Sequence, residues 1–137
     1  MTDRKTEHMR ASNIAEWLGF SITENGGAPL YTLAFDEKHI GNPAIRALHG
    51  GVIATFLEFS AQCALLEELP DGATVNTVNI DIDYMASARA EDMKARVKIL
   101  RAGRRLAFVE ATGWQHDETR PVATARMRFR IDNKTNG

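Results

Sequence analysis

Glu58 is the only ionisable carboxyl group between Gly50 and Leu66, in a run that is otherwise mostly apolar. Taking a carboxylate out of water is costly unless it is paired or used. Partial desolvation would strengthen Glu58 as a base or nucleophile. A seat at a subunit seam, paired with an arginine, would account for it equally well. Just upstream stands His49-Gly50-Gly51. Two glycines opening a helix leave backbone N–H groups uncovered by side chains, and these can hold an oxyanion or polarise a carbonyl. By themselves they could also be a plain glycine-rich loop, and His49 a buried histidine bonded to backbone. On one helix the glycines and Glu58 are roughly 10 Å apart at 1.5 Å per residue. That is too far for one to polarise a carbonyl that the other attacks. A reaction using both groups therefore needs two chains.

The elements that must position these residues follow from periodicity. Val52 to Glu68 is apolar around most of a helical circumference, as a buried helix is, and stops at Pro70-Asp71-Gly72. Before it, Ile14, Trp17, Leu18 and Phe20 suggest a short amphipathic helix ending at Gly19. Phe20 to Thr23 and Leu30 to Phe35 then read as a hairpin across Asn25-Gly26-Gly27. Asp36 to Leu48 reads as a loop. After the long helix, Thr74–Tyr84, Met93–Leu100, Leu106–Trp114 and Val122–Ile131 alternate as strands. Thr74–Tyr84 sets Val75, Thr77, Asn79, Asp81 and Asp83 against Asn76, Val78, Ile80 and Ile82. Two strands, one buried helix and four strands make an α+β chain, with an antiparallel sheet curled round the helix. The helix ends and outer sheet face still need cover, which implies a dimer.

Composition narrows the partners. The chain has 137 residues, 44% hydrophobic and 26% charged, and a net charge of −1, which suits one globular domain. No bulk electrostatic attraction to nucleic acid is expected. The single Cys63 excludes an internal disulfide and reads as a packed thiol. His8, His39 and His116 lack metal-ligand spacing, so no metal is expected. There is no signal-peptide run near the N-terminus and no apolar stretch of membrane-spanning length, so the expected address is the cytoplasm, without a membrane partner.

Asn42, Leu48-His49-Gly50-Gly51-Val52 and the carboxylate of Glu58 together resemble the signature of hotdog-fold thioesterases of the phenylacetate-pathway (PaaI-like) group. Thr77 to Met85 resembles that family's long strand, and Gly103-Arg104-Arg105-Leu106-Ala107 its following hairpin. The similarity runs from about Asn42 to Ile131. It implies a single hotdog domain over 13–132, between tails at 1–12 and 133–137, with an antiparallel sheet wrapped around one long buried helix. It implies an acyl-CoA thioesterase acting on an acyl- or aryl-CoA, in which the Gly51 N–H polarises the thioester carbonyl. His49 would orient that group or the attacking water, and Glu58 of the partner subunit would be nucleophile or general base. Asn42 and Thr77 fall near positions that hold the water or the acyl end, with Gly50 in the same pocket. Gln62, one turn after Glu58, could line that pocket or equally satisfy a backbone group. On spacing alone Arg101, Arg104 and Arg105 read as a solvated turn, and the resemblance implies equally that they meet the phosphates of coenzyme A, which enters as part of the substrate and not as a cofactor. The assembly implied is a homodimer or a dimer of dimers. Arg126, Arg128 and Arg130 read as the wet side of a strand.

Two rivals remain. His39-Ile40-Gly41-Asn42-Pro43 and Glu58 to Gln62 faintly resemble hotdog dehydratases of 3-hydroxyacyl thioesters, although His39 lies too far upstream for their usual spacing. The other rival is a non-catalytic acyl-CoA-binding hotdog protein.

Overall fold

A computed structural model describes residues 13–133. The tail at 1–12 lies outside the described residues, as does all of the C-terminal tail except Asn133. Helix α1 (Asn13–Leu18) stops at Gly19, whose φ of +64° is a left-handed conformation that glycine adopts without strain. Strands β1 (Phe20–Asn25) and β2 (Ala28–Leu33) form the expected hairpin, register Ile22 to Tyr31. Phe20 belongs to β1, where it meets Phe59 edge to face at 4.9 Å.

The segment expected as a loop holds more order than its irregular sequence implies. Asp36 caps a short 3-10 turn at Glu37–His39 through a capping box. A two-stranded ribbon follows, β3 (Ile40–Asn42) against β4 (Ala47–Leu48). No hydrophobic period marks strands this short.

The long helix, α2, spans Gly50–Glu67. Phe56, Leu57 and Leu65 are fully buried, and each such side chain contributes about 2 kcal/mol through lost apolar exposure. Strands β5 (Thr74–Tyr84), β6 (Met93–Ala102), β7 (Leu106–Trp114) and β8 (Ala123–Asp132) complete the chain. They join the hairpin in one antiparallel sheet of order β1-β2-β6-β7-β8-β5. Ala95, Val109, Ala111, Met127 and Phe129 turn inward into the core around α2. This is the α+β hotdog arrangement, a sheet wrapped around one long helix, and β5 forms one edge of it. No helix among the described residues is long and apolar enough to cross a membrane.

Strand β5 departs from simple alternation. Its register against β8 shifts between Thr77 and Asn79, leaving Val78 as a bulge residue, 55% exposed. One extra residue flips the faces that follow. Val75, Ile80 and Ile82 therefore all pack on the core, and Thr77 shares their side.

Candidate active site

Helix α2 is not apolar on every side. Gly51, Thr55, Glu58 and Gln62 recur at helical spacing and form its one incompletely buried polar stripe. Glu58 is half-buried, and its Oε2 accepts the Thr77 hydroxyl at 2.5 Å. Gln62 Nε2 donates to Thr77 Oγ1 at 3.5 Å, so Gln62, Thr77 and Glu58 form a relay of donors ending on the carboxylate. The bulge at Val78 brings Ile80 and Ile82 onto the helix-facing side that Val75 and Thr77 already share. No arginine pairs with Glu58 among the described residues.

At the helix start, His49 is the N-cap and its Nδ1 accepts the Gly51 N–H at 2.8 Å. The Gly51 amide, expected to face a substrate, is thus already engaged within the chain. The Gly50 N–H has no partner among the described residues. A Cβ on Gly51 would lie 2.9 Å from His49 Nδ1, and one on Gly41 would lie 2.7 Å from His49 Cα. Both glycines are needed for close approach around His49. His49 is exposed, not buried against backbone as its plainest reading allowed.

Two contacts around the helix start escaped the sequence pattern. The Thr55 hydroxyl donates to the Gly51 carbonyl at 2.7 Å. The Tyr84 hydroxyl donates to the Gly50 carbonyl at 2.7 Å. Thr55 could have been found from its spacing between Gly51 and Glu58. Tyr84 carries no such local signal.

The remaining candidates separate. Asn42 is exposed, and its side-chain oxygen accepts the Ala44 N–H at 3.1 Å, shaping the β3–β4 turn. It is not joined to Glu58. That turn is tied down by Arg46, which contacts Glu37 at 2.6 Å and holds its exposed carboxyl below the usual range, the hydrogen bond being the main cause. Arg101, Arg104 and Arg105 are exposed without ion-pair partners among the described residues, and line an open hollow with Leu106 and Phe108. By register, Thr77 faces Phe129, which faces Ala107 at the hairpin base. The hairpin is thus level with Thr77, about 10 Å away across two strand spacings. Arg126, Arg128 and Arg130 are exposed and engage Glu110, Asn79 and Asp132.

His39, the residue a dehydratase would need, is wholly buried and occupied on both nitrogens. Nδ1 accepts the Asp36 N–H at 3.1 Å, and Nε2 donates to the Trp17 carbonyl at 2.9 Å. It serves the fold. Cys63 is fully buried, as expected of a packed thiol. Burial, the largest cause, pushes the nearby Tyr31 phenol far up, with Cys63, Glu67 and Glu24 adding to it. Among the described residues no group of three or more His, Cys, Asp or Glu could hold a metal ion.

A family model described as the thioesterase superfamily matches residues 46–122, which include the helix start, Glu58 and Thr77. No curated protein matches the sequence. Among solved structures, the chain is similar to a phenylacetic acid degradation-related protein from Ralstonia eutropha JMP134, at 21% identity and TM-score 0.81, over 93% of this chain and 99% of that one. It is similar to a Bacillus halodurans protein solved with CoA, at 23% identity and TM-score 0.82, over 96% and 85% of the two chains. A thioesterase from Haemophilus influenzae superposes at TM-score 0.81 with 21% identity, over 99% and 94%.

Proposed function

The chain belongs to the thioesterase superfamily, a class of thioester hydrolases, and on that premise we propose that it hydrolyses an acyl- or aryl-coenzyme A thioester to the free acid and coenzyme A. The observation that carries this reading is the Gln62–Thr77–Glu58 relay, which leaves one carboxylate, held by a hydroxyl, on the open stripe of an otherwise buried helix. As general base, Glu58 takes a proton from water while the water oxygen attacks the carbonyl carbon, and the tetrahedral adduct then expels the coenzyme A thiolate, which takes up that proton. As nucleophile, it forms an anhydride and releases the thiolate, and water then cleaves the anhydride. In either route the carbonyl oxygen gains negative charge and needs donors. The Gly50 N–H at the helix start supplies one, and the Gly51 N–H a second when it is shared with, or released by, His49. The CoA-bound relative from Bacillus halodurans supports a CoA-type ligand. Arg101, Arg104 and Arg105, without ion-pair partners among the described residues, would take its phosphates. Coenzyme A is thus part of the substrate, and the cytoplasm is the compartment that suits it. Asn42 would act at most from the β3–β4 turn.

Glu58 and Gly50 lie about 12 Å apart along one helix, so the carboxylate works with the helix start of a second subunit in a homodimer. The edge strand supports this. Thr77, the partner of Glu58, and Tyr84, the partner of Gly50, both lie on β5. Antiparallel two-fold pairing of two β5 edges about Ile80 and Asp81 would set Thr77 opposite Tyr84 of the partner subunit. Two half-sites on each chain then become two whole sites. A dimer of dimers would further cover Leu100 and Leu106, which are exposed near the β6–β7 hairpin.

The test is a spectrophotometric screen of aliphatic and aryl acyl-CoAs for release of free thiol. Turnover of at least one substrate is expected. Tight acyl-CoA binding without any thiol release would replace hydrolysis with a non-catalytic binding role.

A further inference from the structure

The peptide unit joining Gly50 to Gly51 is gripped at both ends. Its carbonyl accepts the Tyr84 hydroxyl at 2.7 Å. Its N–H donates to His49 Nδ1 at 2.8 Å. Consecutive glycines have the most backbone freedom of any pair, yet donors in an oxyanion site must be held in place before the charge develops. Tyr84 ends β5, far from Gly50 in sequence, and is 49% exposed, so burial alone does not place its ring. It nevertheless borders the glycine closely. A Cβ on Gly50 would lie 3.3 Å from the phenol oxygen.

We infer that Tyr84 is a positioning residue for the proposed hydrolysis. Its hydroxyl, acting with His49, fixes the plane of the Gly50–Gly51 peptide, so that the Gly51 N–H is held in place for the thioester carbonyl oxygen when His49 shares or releases it. This rests on the hydrolytic reading of the same site. Fixing that plane removes rotation at ψ of Gly50 and φ of Gly51, the two torsions that flank it. A hydrogen bond at the carbonyl also polarises the N–H of the same unit, which makes the Gly51 N–H a better donor. Strand β5 thereby sets both halves of the site, holding Thr77 on Glu58 at one point and Tyr84 on Gly50 at its end.

Tyr84→Phe tests this, because it keeps the ring and removes only the hydroxyl at a half-exposed position. Turnover number on acyl-CoA should fall about three- to tenfold, as for loss of one neutral hydrogen bond, with KM and melting temperature near wild type. In the substrate-free protein, the NMR amide signal of Gly51 should shift and its hydrogen exchange accelerate, while Phe56 and Leu57 in mid-helix stay unchanged. A Tyr84→Phe enzyme with full kcat, or with an unaltered Gly51 amide, would overturn the assignment. A wild-type protein that releases no thiol from any acyl-CoA would instead overturn the hydrolytic reading. The two failures are distinguishable because the amide measurement uses no substrate.

Discussion

Glu58 and the Gly50–Gly51 peptide share helix α2 but are held by different devices. Around Glu58 the parts are side chains: a carboxylate, the Thr77 hydroxyl at 2.5 Å and the Gln62 amide beyond it. At the helix start the proposed working groups are main-chain amides, flanked by His49 on the Gly51 N–H and Tyr84 on the Gly50 carbonyl. A side-chain group can be deleted by one substitution. A main-chain N–H remains in every variant except proline and can only be misaimed. The carboxylate half should therefore fail sharply when mutated, and the glycine half by degrees.

Glu58→Gln is the largest test of that contrast. It preserves size and hydrogen bonding but loses the charge, so kcat should drop about 10²–10⁴-fold in thiol-release assays. Melting temperature and acyl-CoA binding should stay near wild type. Retention of full turnover would return Glu58 to a structural role at a subunit seam.

Thr77→Val probes the same half more gently, removing the donor while nearly conserving volume. A hydrogen bond to a charged group is lost, so about a tenfold fall in kcat is expected. A fall as deep as that of Glu58→Gln would show that Thr77 itself takes part in the reaction. No change would sever the relay from the chemistry.

The smallest effect should come from the hairpin, which belongs to neither half. Replacing Arg104 and Arg105 together by alanine removes exposed charges worth little individually. KM for acyl-CoA should rise by roughly three- to tenfold, while a short acyl-pantetheine thioester is unaffected. Equal losses on both substrates would move these arginines from the phosphates to the acyl group.

Much of the fold was legible because the elements are long. Eleven residues of β5 and eighteen of α2 display their periods clearly, whereas the two residues of β4 show none. Around Glu58, the one-turn spacing to Gln62 could be read directly from the helix, whereas Thr77 came only from the family resemblance. Strict alternation, however, set Thr77 and Ile80 on opposite faces of β5. The bulge at Val78 puts them on one. Its trace in the sequence is a change of phase, with Val75 apolar on one parity and Ile80 and Ile82 on the other. The glycine half was legible only as a motif. His49-Gly50-Gly51 marks a helix start, but which amide remains free depends on the ring orientation of His49. The Tyr84 contact is a meeting of strand end and helix end that no local pattern encodes.

Complementation between two defective chains tests the split site most directly. Glu58→Gln lacks the carboxylate. Gly51→Ala would press its Cβ to 2.9 Å from His49 Nδ1, and misplacing the donors in this way should cost up to about 10²-fold. In a mixed dimer with a site spanning both subunits, one site carries both lesions and the other carries neither. Unfolding and refolding the two variants together in equal amounts should restore about a quarter of the wild-type thiol-release rate, by random pairing into dimers. A mixture no more active than the two variants assayed separately would contradict a site shared between Glu58 of one subunit and the helix start of the other.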